Sequence, residues 1–201
     1  GVYPQGESLQ EAIAPDLFDQ VSKLGIEAGL PVQTINQLRP WYAATVIGVS
    51  YIQSHGYEVE LGVDSYFQEL ARTRGIRISG LETVREQMQA LSGHGPDVQE
   101  AMLRDTVDQL ANMNVLLEEM TEAWVVGDIQ ALDEKLLGPM REVPELYDVL
   151  LVGRNRNWLP EIQILLNQPG VHFVVVGMAH LIGDDGLVTM LRNRGLNVKR
   201  Y

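Results

Sequence analysis

Apolar residues recur at intervals of three and four over about residues 7–13, 15–28 and 37–54, a spacing that predicts amphipathic helices. Residues 64–74 read as a further helix ended by Gly75, after which Ile76-Arg77-Ile78-Ser79-Gly80 alternates apolar with polar and predicts a strand. Thr83-Val84-Arg85-Glu86 matches a capping box, in which a hydroxyl and a carboxylate satisfy the free amides at a helix start. Gly95-Pro96-Asp97 opens one long helix whose stripe of Leu103, Val107, Leu110, Leu117, Met120 and Trp124 runs through to Gly127, with the Met and Trp expected in the core.

A shorter helix over residues 128–137 is expected to end at Gly138-Pro139. Pro144 then opens a helix reaching about Asn167, which Pro160 should kink or break. The last stretch reads as a strand over 171–176, a loop through His180 and a helix capped by Asp184 or Asp185. Gly195 ends that helix and a final strand follows over 196–200. Val174-Val175-Val176 is the continuous apolar run that a strand buried on both faces requires. The expected class is therefore α/β, a mostly helical chain with a small central mixed sheet flanked by helices.

Length and charge narrow the function. With 201 residues, 45% of them hydrophobic, the chain can bury one sizeable core, and a single domain over 1–201 is expected. No repeat of 20 to 50 residues interrupts it. A net charge of −12 repels phosphate backbones and anionic lipid, so no nucleic acid partner is expected; the densest basic group, residues 192–200, forms no basic stripe. The longest apolar stretches, 42–49 and 173–176, fall short of the ~18 residues of a spanning helix, so no membrane insertion is expected. The absence of cysteine excludes disulfides and cysteine metal sites without fixing a compartment.

Three places carry candidate chemistry. In Gly177-Met178-Ala179-His180, a glycine after the expected buried strand allows a sharp turn, and His180 would project from the strand's carboxyl end, where ligands bind in open sheets. Imidazole is a common metal ligand that titrates near neutrality; the plainer reading is a loop histidine bonded to a nearby carbonyl. Glu82, between the expected strand over 76–80 and a helix cap, could be a general base, a metal ligand or the orienting partner of a histidine. It could equally serve the helix N-terminus alone. Arg154 lies in the stripe Tyr147, Leu151, Arg154, Trp158, Ile162 and Leu165, with Asn155 on its flank. A buried unpaired guanidinium costs several kcal/mol, so Arg154 should meet a carboxylate, with that of Glu82 the expected acceptor, or face a polar cavity. The plainer reading is a snorkelling side chain.

The ordered series Leu38-Arg39-Pro40-Trp41, Gly62-Val63-Asp64-Ser65-Tyr66, Gly80-Leu81-Glu82-Thr83, Arg154-Asn155-Arg156-Asn157-Trp158 and Val176-Gly177-Met178-Ala179-His180-Leu181 resembles the TraB/GumN/Tiki family. The stretch from Gly183-Asp184-Asp185-Gly186-Leu187 to Arg194-Gly195 looks like that family's closing segment, so the resemblance covers almost the whole chain. It implies a mixed sheet flanked by helices and a metal-dependent peptidase that uses divalent manganese or cobalt, with zinc possible. Family sites are built around two GxxH motifs and acidic residues, and Gly177 to His180 matches the second. The opening Gly1-Val2-Tyr3-Pro4-Gln5-Gly6-Glu7-Ser8-Leu9 looks like the family's middle, so the domain is expected to lack its N-terminal strands and first GxxH segment.

On this resemblance the catalytic candidates are His180, Glu82, Arg154 and Asn155, with His180 as metal ligand and no tightly bound ion expected in this chain. Glu82 would be a base or supporting carboxylate, and Arg154 would hold it or stabilise an oxyanion. The implied substrate is a peptide or other small acyl compound, and the implied location is the bacterial envelope or periplasm. Loss of sheet strands would leave an apolar face for a homo-oligomer to cover through the 171–176 strand. The alternative is a non-catalytic binding or regulatory module that sequesters a peptide or acts as a scaffold.

Overall fold

The computed structural model describes residues 1–200, except for the side chain of Val59. Its α-helices are α1 (Leu9–Ala12), α2 (Pro15–Glu27), α3 (Val32–Ile35), α4 (Pro40–Ser54), α5 (Val63–Thr73), α6 (Val84–Ser92), α7 (Pro96–Ala111), α8 (Met113–Val126), α9 (Ile129–Arg141), α10 (Pro144–Tyr147), α11 (Gly153–Leu166) and α12 (Leu187–Asn193). The chain divides into two compact units, one of residues 1–66 with 91–118 and the other of residues 67–90 with 119–201.

In the first unit α2, α4 and α7 pack on one another. Pro40 at the first turn of α4 and Pro96 at that of α7 start helices where the missing amide hydrogen costs nothing. Val21, Ile35, Ile47 and Leu103 are fully buried in the shared core, each stabilising the fold by roughly 1.5–3 kcal/mol. Gly25 lets α2 approach α3, since a Cβ there would meet Ile35 Cδ1 at 2.1 Å.

The second unit holds two further clusters of buried side chains. Ala123, Leu132, Leu137, Leu151 and Ile182 form one, and Trp158, Leu159, Ile162 and Leu187 form the other, with Leu81 and Val176 packed against the latter. A π-helical turn, Asp148–Val152, joins α10 to α11, and Gly153 N–H donates to the Asp148 carbonyl to close it. A Cβ at Gly153 would lie 3.0 Å from that same oxygen.

The expected α/β fold with a central mixed sheet is not what forms. The structure is 67% helical, no strand forms among the described residues, and the isolated antiparallel bridge between Val2 and Leu38 makes no sheet. The stretches 76–80, 171–176 and 196–200 form neither helix nor strand. Strand formation depends on cross-strand neighbours as much as on side-chain type. Val171 is 99% and Phe173 71% exposed, so this run is not buried on both faces.

Several helix limits also differ. The long helix expected to run from Gly95 to Gly127 breaks at Asn112, whose amide donates to the Asp108 carbonyl at 3.3 Å and whose N–H tightens onto Gln109 at 3.2 Å. Trp124 is 60% exposed and is not core. Helix α9 continues through Gly138 and Pro139 because buried Leu132 and Leu137 anchor it and Arg141 bonds to Asp133 at 2.6 and 2.9 Å. Pro160 does not break α11, where buried Trp158, Leu159 and Ile162 hold the helix on both sides of it. Gly186, not Asp184 or Asp185, precedes α12, with no side-chain cap.

Candidate functional site

Glu82, Arg154, Asn155 and His180 all lie in the second unit, and hydrogen bonds join them into one cluster. The capping box forms as the sequence predicts: Thr83 N–H donates to Glu86 Oε2 at 2.7 Å and Glu86 N–H to Thr83 Oγ1 at 3.2 Å. That start of α6 places Glu82 just outside the helix, where its carboxylate turns to α11. Arg154 Nη2 donates to Glu82 Oε1 at 2.7 Å and Arg154 Nε to Glu82 Oε2 at 3.2 Å, a two-point pairing of a planar fork with a carboxylate. Trp158 Nε1 adds a donor to Glu82 Oε2 at 3.1 Å.

Arg154, Asn155 and Trp158 occupy the first turns of α11, directly after the π-helical turn. Arg154 Nη1 reaches back to the Leu150 carbonyl at 3.2 Å, and its guanidinium carbon lies 4.7 Å from the Trp158 ring centre. One step round the helix, Asn155 is 1% exposed and points to the loop that carries His180. Its Nδ2 donates to the carbonyls of His180 at 3.3 Å and Asp185 at 2.9 Å.

His180 ends a 3-10 turn, Met178–His180, closed by His180 N–H to the Gly177 carbonyl at 2.9 Å. Gly177 has φ −55, which any residue adopts, so the turn does not need the glycine freedom expected of it. The imidazole is 7% exposed, and its ring centre lies 4.5 Å from that of Trp158. Its Nδ1 is 2.7 Å from Asn155 Oδ1 and its Nε2 is 3.4 Å from Arg154 Nη1. Because the Asn155 amide nitrogen faces two carbonyls, Oδ1 must be the atom that accepts from His180. The proton therefore sits on Nδ1 and the lone pair on Nε2. Burial pushes the His180 pKa down to about 4, the Arg154 charge adds to this, and Glu82 opposes it.

The divalent ion that the resemblance implies at His180 is poorly matched by this donor set. Both oxygens of Glu82 are engaged by Arg154 and Trp158, Nε2 faces a guanidinium, and the described residues contain no cluster of three or more His, Asp or Glu able to hold a metal. A cavity of about 660 Å³ lined by Ala123, Val126 and Ala131 lies elsewhere in this unit, and none of the four candidates lines it.

Two members of the cluster were not among the sequence candidates. Trp158 reads as core by spacing, although its place four residues after Arg154 puts it beside the guanidinium. Asp185 reads as a helix cap, whereas its carbonyl serves Asn155 and its carboxylate accepts from Tyr147 at 3.4 Å.

The chain is 29% identical over 189 residues to the uncharacterized protein YbaP of Escherichia coli (strain K12), covering 94% of this chain and 70% of that protein. It is similar to the same extent to YbaP of Shigella flexneri. No solved structure matches. The sequence profile of the TraB/PrgY/gumN family matches residues 1–200, and the chain belongs to that family.

Proposed function

We propose that this chain supplies acid–base and charge-stabilising groups to a hydrolase site acting on a peptide or a related acyl bond. The observation that carries this reading is the buried, neutral His180, whose proton Asn155 fixes on Nδ1 and whose Nε2 lone pair faces Arg154. In such a site Arg154 Nη1 moves from Nε2 to the substrate's carbonyl oxygen, and the freed Nε2 takes a proton from water as its oxygen attacks the carbonyl carbon, then returns it to the leaving amine as the acyl bond breaks. Arg154 donates to the oxygen that gains negative charge, and Glu82 holds the guanidinium in place. A pKa of about 4 keeps the imidazole in its base form at neutral pH, at some cost in base strength.

The test is cleavage of a broad peptide library by the 201-residue chain, alone and with manganese, cobalt or zinc added. The expected result is cleavage that disappears in His180→Gln. No cleavage in any arm, or equal cleavage by the variant, overturns the reading.

One observation favours a second reading, a peptide-binding or regulatory module without turnover. The Nε, Nη1 and Nη2 of Arg154 and both oxygens of Glu82 already have partners within the cluster. That reading expects peptide binding with no product.

Either reading extends to self-association. Val171 and Phe173 offer exposed apolar surface on a segment outside helix and strand, which a second copy of the chain would cover.

A further inference from the structure

The guanidinium of Arg154 stands between two groups that ordinarily bind metal. On one side is the Glu82 carboxylate, with Nη2 to Oε1 at 2.7 Å and Nε to Oε2 at 3.2 Å. On the other is the unprotonated Nε2 of His180, 3.4 Å from Nη1. A divalent ion bound to Nε2 would sit roughly 2.0–2.2 Å from it, which puts the ion against a like-charged guanidinium. The two cations exclude each other by volume and by charge.

We propose that Arg154 is the resident cation of this site, a tethered positive charge that occupies the Glu82 carboxylate and the His180 lone pair and keeps divalent transition-metal ions off both. Three features support it beyond the distances. The ion pair is largely enclosed, with side chains 21% and 17% exposed, so water screens it little. Trp158 braces both members, donating to Glu82 Oε2 and lying beneath the guanidinium, so the arginine is held on two sides. Nη1 is also tied to the Leu150 carbonyl, which fixes the fork in the plane that meets His180. The charge that a bound metal would bring is thus already present, and a metal gains entry only by displacing Arg154. The inference concerns occupancy and stands whether or not the chain hydrolyses anything.

The experiment is titration of the 201-residue chain with Co2+, read by its visible absorption, and with Mn2+, read by paramagnetic broadening of the His180 imidazole signals in NMR. Wild type is expected to show no broadening of His180 at stoichiometric Mn2+. Arg154→Met frees both ligands and is expected to bind Co2+ more tightly on the order of tenfold or more, a gain that Arg154→Lys does not share and that His180→Gln removes when added to Arg154→Met. Arg154→Gln, which retains hydrogen bonding, is measured beside Arg154→Met and should show the same direction if the methionine variant does not fold. Broadening of His180 in wild type at stoichiometric Mn2+, or a folded Arg154→Met or Arg154→Gln chain that binds Co2+ no better than wild type, overturns the proposal.

Discussion

Asn155 Oδ1 accepts from His180 Nδ1 at 2.7 Å while its Nδ2 donates to the carbonyls of His180 and Asp185 at 3.3 and 2.9 Å. A single buried amide thus fixes the tautomer of the imidazole and the path of the loop behind it. Replacing Asn155 with Leu leaves two carbonyls and a ring N–H without that partner, and the expected loss is about 2–4 kcal/mol in urea denaturation. Nitrogen-15 NMR of the histidine side chain should then show the Nδ1–H form losing its dominance. An Asn155→Leu chain as stable as wild type, with the same tautomer, would mean that the amide is not the organising group.

His180 makes stability depend on pH in a defined direction. Its folded pKa of about 4 lies below the ordinary 6.5, because of burial first and the Arg154 charge second. Between those values the unfolded chain takes up a proton that the folded chain refuses. The contribution is therefore whole above pH 6.5, declines as pH falls toward 4, and changes no further below it. Its size is at most about 3 kcal/mol. Urea midpoints at pH 7 and pH 4 should fall further for wild type than for His180→Gln, with the carboxylates common to both cancelling in the comparison. Parallel acid profiles for the two chains would contradict the shift.

Glu82 and Arg154 should behave as one unit. Removing either partner of an enclosed pair strands the other, so Glu82→Gln and Arg154→Met are each expected to cost about 2–3 kcal/mol, less than a fully buried pair because both side chains retain some exposure. The double variant should cost well under the sum. Additive losses in the cycle would show that the two side chains do not act through each other.

What the sequence made legible was local, or forced by a charge. Helices α2 and α5 and the Thr83–Glu86 capping box follow from contacts three and four residues apart, which the chain itself specifies. The Arg154–Glu82 pair spans 72 residues, yet it was foreseeable because a guanidinium in an apolar stripe demands a carboxylate. The strand over 171–176 was misread because a valine run signals only a taste for burial, and the partner strands that would satisfy it are a nonlocal matter. The break at Asn112, where the backbone N–H bonds to Gln109 instead of Asp108, falls at a residue that looks, in sequence, like any polar residue on a helix face. Trp158 does pack in the core, as its place in the apolar stripe implies, but spacing alone gives no sign that its indole N–H also donates to Glu82.

The exposed apolar segment over 171–176 leads to a test of the proposed self-association. Val171 and Phe173 are 99% and 71% exposed, with the Phe173 ring resting on Phe67 at 4.7 Å, so exposed apolar side chains lie on a segment outside helix and strand. Covering such surface gains ~25 cal/mol per Å², and a segment outside helix and strand has backbone groups that another copy can satisfy in place of water. The net charge of −12 opposes association, but repulsion between exposed charges fades beyond ~10 Å at ordinary salt while the apolar gain is made in contact. Burial should therefore outweigh repulsion, and light scattering at micromolar concentration is expected to report a dimer or larger assembly. Phe173→Glu, which places a charge in the middle of the segment, should shift it toward monomer while circular dichroism stays unchanged. A monodisperse wild-type monomer would end the proposal, and a Phe173→Glu chain that assembles as wild type does would move the contact to another surface.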